Sequence, residues 1–442
     1  MSALDPTPDT PTRSDDPQTQ RALRRLLLGG VIGSLVEFYE FSVYAVLATT
    51  LAAVFFPAVD PTTGLLSALA VFAVAFFARP LGGFVWGAVG DRIGRRGTLA
   101  LTVLLMSVAT TLMGLLPGYA AIGVAAPILL VLLRFVQGVS AGGEISGAVS
   151  FVAEHAPDHR RGLFVGMISV GSVVGTLLGS LLPGILLLTL STEDMQAWGW
   201  RIPLLVALPL GLVGLFIRRR LDETPFFVAL RRESARAANP VRAALSGRPA
   251  RRLLVVAFCL VAVNASSFYM IVGYLPSFAT KSLALTGVQA FAPSLIALAA
   301  CLVAEVVGAW ISDRVGRKPV LLTSGLGLLL LAYPSFLLIT SGTFGLIACG
   351  LVLFGLLAGA YAAVINAALT EQFPTNVRVS GHGITYNLSV ALFGGSAPYL
   401  LTWLGGVTGS TMVGAFYVIL LALVSLPAVL ALRETAGRPL RS

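Results

Sequence analysis

Long apolar runs alternate with short polar breaks over almost the whole chain. The runs lie near 26–56, 64–90, 98–117, 121–153, 162–190, 200–217, 253–280, 288–312, 319–340, 343–370, 379–404 and 409–432. Each can supply the roughly 20 helical residues that cross a hydrocarbon layer about 30 Å thick. Glycines and prolines interrupt several runs. That is tolerated in a membrane, where neighbouring helices re-satisfy the freed backbone groups. A β-barrel would instead show alternating segments of about 10 residues, and none appears. The expected fold class is therefore all-α and integral to the membrane, with 12 transmembrane helices.

Composition agrees with this pattern. Of the 442 residues, 56% are hydrophobic and 11% charged, against about a quarter charged in soluble proteins. The net charge of +10 comes without an aromatic-interleaved basic patch. Anionic lipid headgroups account for it better than nucleic acid does. Cys259, Cys301 and Cys349 all lie in apolar runs, without disulfide or zinc spacing. His155 and His159 flank Pro157, which breaks the helix that a paired metal site would need. No metal and no cofactor is expected beyond a proton as coupling ion. The first 20 residues, rich in Asp, Thr and Pro, resemble a disordered tail rather than a secretion signal.

The basic residues set the orientation. Of 30 Lys and Arg, 26 lie in the termini or in alternate loops, including ten arginines from Arg218 to Arg252. The opposite loops hold only Arg201 and Lys281, and Arg79 and Arg134 fall inside spans. By the positive-inside rule both termini and the 218–252 loop are cytoplasmic, which requires an even number of spans.

The chain also repeats itself. Asp91-Arg92-Ile93-Gly94-Arg95-Arg96 returns as Asp313-Arg314-Val315-Gly316-Arg317-Lys318, an offset of 222 residues. A second pattern, Glu-x-x-Pro-x-x-x-Arg, places Glu154 and Arg161 in one copy and Glu371 and Arg378 in the other, an offset of 217. Two similar offsets imply two six-helix halves in the same orientation, with a binding site between them near the midplane. The expected organisation is a tail (1–25), an N-terminal bundle (26–217), a cytoplasmic linker (218–252), a C-terminal bundle (253–432) and a short tail (433–442). Glycines in the repeated turn allow a tight bend, and its aspartate can pair with an arginine or a helix N-terminus in one conformation and release it in another. Asp91, Arg92, Arg95, Asp313, Arg314, Arg317, Glu154, Arg161, Glu371 and Arg378 are thus the candidate conformational latch.

These turns resemble the signature loop of the major facilitator superfamily, which stands between helices 2 and 3 and again between 8 and 9. Other stretches resemble its metabolite:proton symporter family, which includes the proline/betaine, α-ketoglutarate, citrate and shikimate carriers. They include Glu37-Phe38-Tyr39-Glu40-Phe41, Ala78-Arg79-Pro80-Leu81-Gly82-Gly83, Arg134-x-x-Gln137-Gly138, Gly142-Gly143-Glu144, Trp198-Gly199-Trp200-Arg201-Ile202-Pro203, Glu223-Thr224-Pro225-Phe226 and Glu434-Thr435-Ala436. The resemblance implies proton-driven uptake of a small polar metabolite across the cytoplasmic membrane. It is not perfect: Ser34, Glu40, Glu305-Val306 and Ala309 replace the residues usual in that family.

Ions at bilayer depth are costly and face a partner or a wet cavity. Six stand out: Glu37, Glu40, Arg79, Arg134, Glu144 and Glu305. Counted along the helix, Glu37 and Arg79 each lie about 18 Å from the basic end, and Glu144 about 15 Å. Glu37, Glu40 and Glu144 are the candidate proton-coupling acids. Arg79, Arg134, Gln137, Tyr44, Asn264, Tyr274, Tyr386 and Asn387 are the candidate substrate-binding residues. A static ion-pair network tying the first, second and fourth helices is the competing reading. The spacing of Gly171, Gly175 and Gly179 fits close helix packing.

The best reading is a secondary active transporter, a proton symporter of a small carboxylate or zwitterion working by alternating access. A transporter-like receptor is the alternative, and an enzyme ranks last for want of a nucleophile–base pair or a phosphate-cradling loop. The substrate reading stays between a proline/betaine-type osmolyte and a di- or tricarboxylate. Expected partners are the small-molecule substrate, protons and membrane lipids, with a monomeric chain, no nucleic acid, and residence in the inner cell membrane.

Overall fold

The computed structural model describes residues 17–219, 248–283, 285, 287–375 and 377–440. Within them, 12 helical stretches are long and apolar enough to cross a membrane. In the N-terminal half these are α1 (Leu27–Val46), α2 (Pro61–Gly83), α3 (Gly97–Leu115), α4 (Ala125–His155), α5 (Asp158–Thr189) and α6 (Thr192–Ile217). The C-terminal half contains α7 (Ala250–Lys281), α8 (Ala292–Val315), α9 (Arg317–Ile339), α10 (Phe344–Gln372), α11 (Arg378–Thr408) and α12 (Val413–Ala431). Large apolar side chains such as Leu132, Leu330 and Phe416 stay exposed on the outside, as lipid-facing surfaces require.

Local chemistry sets several boundaries. The helix of the first span begins at Pro17 and ends at Val46, and the apolar stretch beyond it forms a separate short helix, Ala48–Phe55. The Asp60 side chain then accepts from the backbone N–H of Thr62 and Thr63, ahead of Pro61 at the first turn of α2. This N-cap starts the second span three residues before its apolar run. Pi-helical segments interrupt α6 (Met195–Gly199), α7 (Met270–Tyr274) and α11 (Val390–Gly395). Each inserts extra backbone into a turn and rotates the residues beyond it.

Small residues bring the helices of each half together. Gly171, Gly175 and Gly179 of α5 lie against the backbone of Val31, Leu35 and Tyr39 of α1. In the same way Gly138 and Gly142 of α4 meet Ala75 and Arg79 of α2, and Gly355 and Gly359 of α10 meet Ala297 and Cys301 of α8. A methyl group at any of these positions would collide with backbone, so close approach explains the glycines.

Across the halves, α5 meets α8 where Gly166 faces Ala309, and the Asn366 amide of α10 donates to Ser169 Oγ of α5 at 3.1 Å. The Asn387 amide of α11 donates to the Gly142 carbonyl of α4 at 2.8 Å. Aromatic side chains close the seam between α1, α2 and α7, with Phe38–Phe268 ring centroids 5.5 Å apart and Phe76–Tyr269 at 4.7 Å.

Candidate substrate site and gate

The polar centre of the molecule begins with α1, where Glu37 and Glu40 stand three residues apart. They share a helix face in sequence but serve different neighbours. Glu37 forms an ion pair with Arg79 of α2 at 2.9 Å, and both side chains are fully buried. The Arg79 guanidinium also lies against a pair of aromatic rings that touch each other, 4.5 Å from the Phe41 centroid and 4.8 Å from that of Phe76. Its backbone is fixed by the tight contact with Gly142 and by the Trp86 indole, which donates to the Val139 carbonyl at 2.8 Å.

Glu40 points instead toward α3 and α4. It accepts from Ser107 Oγ at 2.6 Å, from Thr110 Oγ1, and from Gln137 Nε2 at 3.2 Å. Gln137 in turn accepts from Arg134. The Arg134 guanidinium lies over the Tyr44 ring, 3.9 Å from its centroid, and the Tyr44 hydroxyl donates to the Ala68 carbonyl at 3.1 Å. Glu144 is buried, opens the second helical segment of α4 (Glu144–His155), and lies within electrostatic reach of Glu40. The two α1 acids therefore occupy separate networks. One is an ion pair facing the seam; the other is a hydroxyl and amide cluster inside the N-terminal half.

The C-terminal half faces this pair with tyrosines. The phenols of Tyr269 and Tyr386 lie within electrostatic reach of both Arg79 and Glu37. On α7, the Asn264 Oδ1 and Ser267 Oγ atoms are buried without a hydrogen-bond partner, as expected of groups awaiting a ligand or water. Tyr274, the last residue of the pi segment that follows Tyr269, packs against Phe278, 5.1 Å between rings. Tyr269 is the residue that sequence reasoning missed. Its nearest clue was the polar Asn264 and Ser267 on the same helix, but the pi segment after it obscures the helical face.

One end of the seam is closed by charge, and the two copies of the Glu-x-x-Pro-x-x-x-Arg pattern pair reciprocally there. Arg378 meets Glu154 at 2.7 Å and Arg161 meets Glu371 at 3.5 Å, so each half supplies the arginine for the other's acid. Each arginine also donates its Nε to a carbonyl eight residues earlier, Ala153 for Arg161 and Thr370 for Arg378. Asp313 spans the halves as well, accepting from the backbone N–H of Gly162 and of Leu163, both at 2.8 Å, at the start of α5. A carboxylate there meets orphan helix N–H groups and the positive end of the dipole. Arg317 completes the cluster with Asp313 at 2.8 Å and Glu371 at 3.1 Å. Arg314 stands apart, 3.6 Å over the Trp310 ring. The side chains of Asp91, Arg92 and Arg95 lie outside those described.

These contacts form at an interface that must part if the halves rock. Asp313→Asn is therefore expected to slow transport at least several-fold while leaving equilibrium substrate binding within a few-fold, read by uptake rate against binding on the same preparation. Lost binding in a folded variant would contradict a gating role.

The chain after α12 wraps over this end. Gly316 turns with φ +108, a conformation glycine adopts without strain. The Glu434 carboxylate then caps α9, accepting from the backbone N–H of Arg317, Lys318, Thr435 and Ala436 at 2.9 Å each. The Thr435 hydroxyl donates to Glu371 at 2.5 Å, and Arg161 donates to the Arg438 carbonyl at 3.0 Å. Partial burial pushes the Glu434 carboxyl up, but the four backbone donors outweigh it and hold the group below its usual range. A depressed folded value means that the carboxylate stabilises the fold above an ordinary glutamate value of about 4.3, and that this contribution is lost as pH falls through the folded value. The melting temperature of Glu434→Gln should thus lie below wild type at pH 7, and the gap should close in acid; a pH-independent gap would contradict the capping role.

At the opposite end the seam is shut by packing. Gly273 of α7 abuts Pro398 and Phe72, and Lys281 Nζ donates to the Pro61 carbonyl at 3.5 Å. Between these two ends, the Glu37 and Arg79 side chains are both fully buried.

Two bundles of six helices, with a buried ion pair at their seam and reciprocal ion pairs joining them at one end, define a secondary transporter. Residues 30–398 match the Major Facilitator Superfamily, and the chain belongs to that superfamily. It is similar to the proline/betaine transporter of Salmonella typhimurium, 36% identical over 430 residues that cover 95% of this chain and 85% of the relative. The ectoine/proline transporter ProP of Corynebacterium glutamicum is 37% identical over 433 residues, covering 95% and 86%. The fold is similar to that of the proton:xylose symporter XylE bound to 6-bromo-6-deoxy-D-glucose, with a TM-score of 0.77 at 17% identity over 96% of this chain and 98% of that one. The protein is a multi-pass transporter of the inner cell membrane and not an enzyme.

Proposed function

We propose that the protein is a proton-coupled symporter that takes up small zwitterionic osmolytes of the proline and betaine type by alternating access. The observation that carries this reading is the buried Glu37–Arg79 pair at the seam of the halves, facing tyrosines of the other half. A guanidinium is suited to a substrate carboxylate, and a glutamate that loses its partner to that carboxylate becomes a proton acceptor. Substrate and proton then load together. The names of the relatives, proline/betaine and ectoine/proline transporters, support a zwitterion over a di- or tricarboxylate. Glu40 and Glu144, with Arg134 and Gln137, form the supporting network that holds α1 against α3 and α4. The latch at the basic end, cytoplasmic by the distribution of charge, closes the path inward while substrate is held.

Purified protein in proteoliposomes with an acidic exterior tests this. Labelled glycine betaine or proline should accumulate above equilibrium, and a protonophore should abolish the accumulation. Equilibration without accumulation, or accumulation driven only by sodium, would reject proton coupling. Failure of both compounds to enter would reject the substrate class.

A further inference from the structure

One intramembrane acid has no place in the networks above. Glu305 sits in the middle of α8, 1% exposed, and its Oε2 atom is buried with no hydrogen-bond partner. Among the described residues no lysine, arginine or histidine forms an ion pair with it. The nearest cations on its own helix and the following turn, Arg314 and Arg317, begin nine residues later in sequence, about 13 Å along the helix. A buried carboxylate in such a place calls for a proton or for a cation delivered from outside the chain.

Its surroundings favour a delivered cation. The Tyr386 phenol of α11 lies within electrostatic reach of Glu305 as well as of Arg79 and Glu37. Among the described residues, the seam thus holds a guanidinium in the N-terminal half and a carboxylate without a cationic partner in the C-terminal half, with Tyr386 in reach of both. That is the charge pattern of a small molecule with an anionic and a cationic end. Arg79 already has Glu37 as counter-ion, whereas no cation among the described residues pairs with Glu305, so the substrate's cation would satisfy an acid that these residues leave unmatched. Tyr386 adds an aromatic surface suited to an ammonium group.

Resting on the zwitterion reading above, we propose that Glu305 receives the cationic group of the substrate while Arg79 receives its carboxylate. Glu305 is then the residue that separates zwitterions from simple carboxylates. It also explains why both halves must close on the substrate, since each holds one of its two charges.

The test compares glycine betaine with 3,3-dimethylbutanoate, which has the same shape and carboxylate but a neutral carbon in place of the nitrogen. Binding of each is measured on purified wild type, Glu305→Gln and Glu305→Asp. Wild type should bind betaine at least about 100-fold better than the neutral isostere. In Glu305→Gln this preference should fall about tenfold or more through weaker betaine binding, with the isostere unchanged or improved. Unchanged preference overturns the proposal. So does normal betaine binding combined with lost pH-driven accumulation, which would make Glu305 a proton carrier. If Glu305→Gln does not fold, Glu305→Asp decides: its carboxylate is retracted by one methylene, and the preference should drop several-fold, an unchanged value again overturning the assignment. Wild type that transports neither proline nor betaine would reject the substrate class itself, a result separable from all of these.

Discussion

Replacing Glu37 by glutamine is expected to leave substrate binding and exchange intact while abolishing pH-driven accumulation. The carboxylate is fully buried and paired with Arg79 at 2.9 Å; on the proposed mechanism it is ionised against the guanidinium and takes a proton when a substrate carboxylate takes the guanidinium over. Glutamine imitates the protonated state permanently. A single coupled proton lets each unit of pH gradient support up to about tenfold accumulation, and the variant should fall to a ratio near one at any gradient. Counterflow exchange, which needs no net proton movement, should persist within a few-fold. The check is one proteoliposome preparation assayed both ways. Wild-type accumulation would return Glu37 to a structural role, an ion pair tying α1 to α2.

Arg79→Gln should have the opposite signature. Substrate binding should weaken about 100-fold or more, as when one partner of a buried charge pair is truncated. The fold should suffer too, because Glu37 is left buried without its cation, a loss of roughly 3–5 kcal/mol unless a proton is taken up. Glu37→Gln combined with Arg79→Gln should therefore regain much of the stability lost by Arg79→Gln alone and none of the binding. Thermal melting in detergent and substrate titration separate the two effects. Arg79→Lys should recover only part of the affinity, since a compact ammonium lacks the planar, delocalised face that the guanidinium brings to the Phe41 and Phe76 rings at 4.5 and 4.8 Å. Wild-type binding in Arg79→Gln would place the substrate carboxylate elsewhere.

The amino-acid sequence by itself determined the number of spans, because apolar length against bilayer thickness is a one-dimensional property. Arginine placement and the two half-chain offsets, likewise linear, pointed to paired halves. The rarity of ions at bilayer depth singled out Glu37, Glu40, Arg79, Arg134, Glu144 and Glu305 without any coordinates. Partner choice was not legible in the same way. Glu37 and Glu40 share a face at i and i+3, yet the small turn between them aims one at α2 and the other at α3 and α4, where Ser107, Thr110 and Gln137 wait. The latch residues were legible as repeats, but their reciprocal pairing, Arg161 with Glu371 and Arg378 with Glu154, joins residues more than 200 positions apart. Tyr269 comes within electrostatic reach of Arg79 and Glu37, while Tyr274, one of the expected residues, packs on Phe278 at the end of a pi segment that an ideal helical period does not include. The tertiary structure alone decided these points, because the direction in which a buried polar side chain points is set by which helices pack against its own, and that is fixed by contacts between distant parts of the chain.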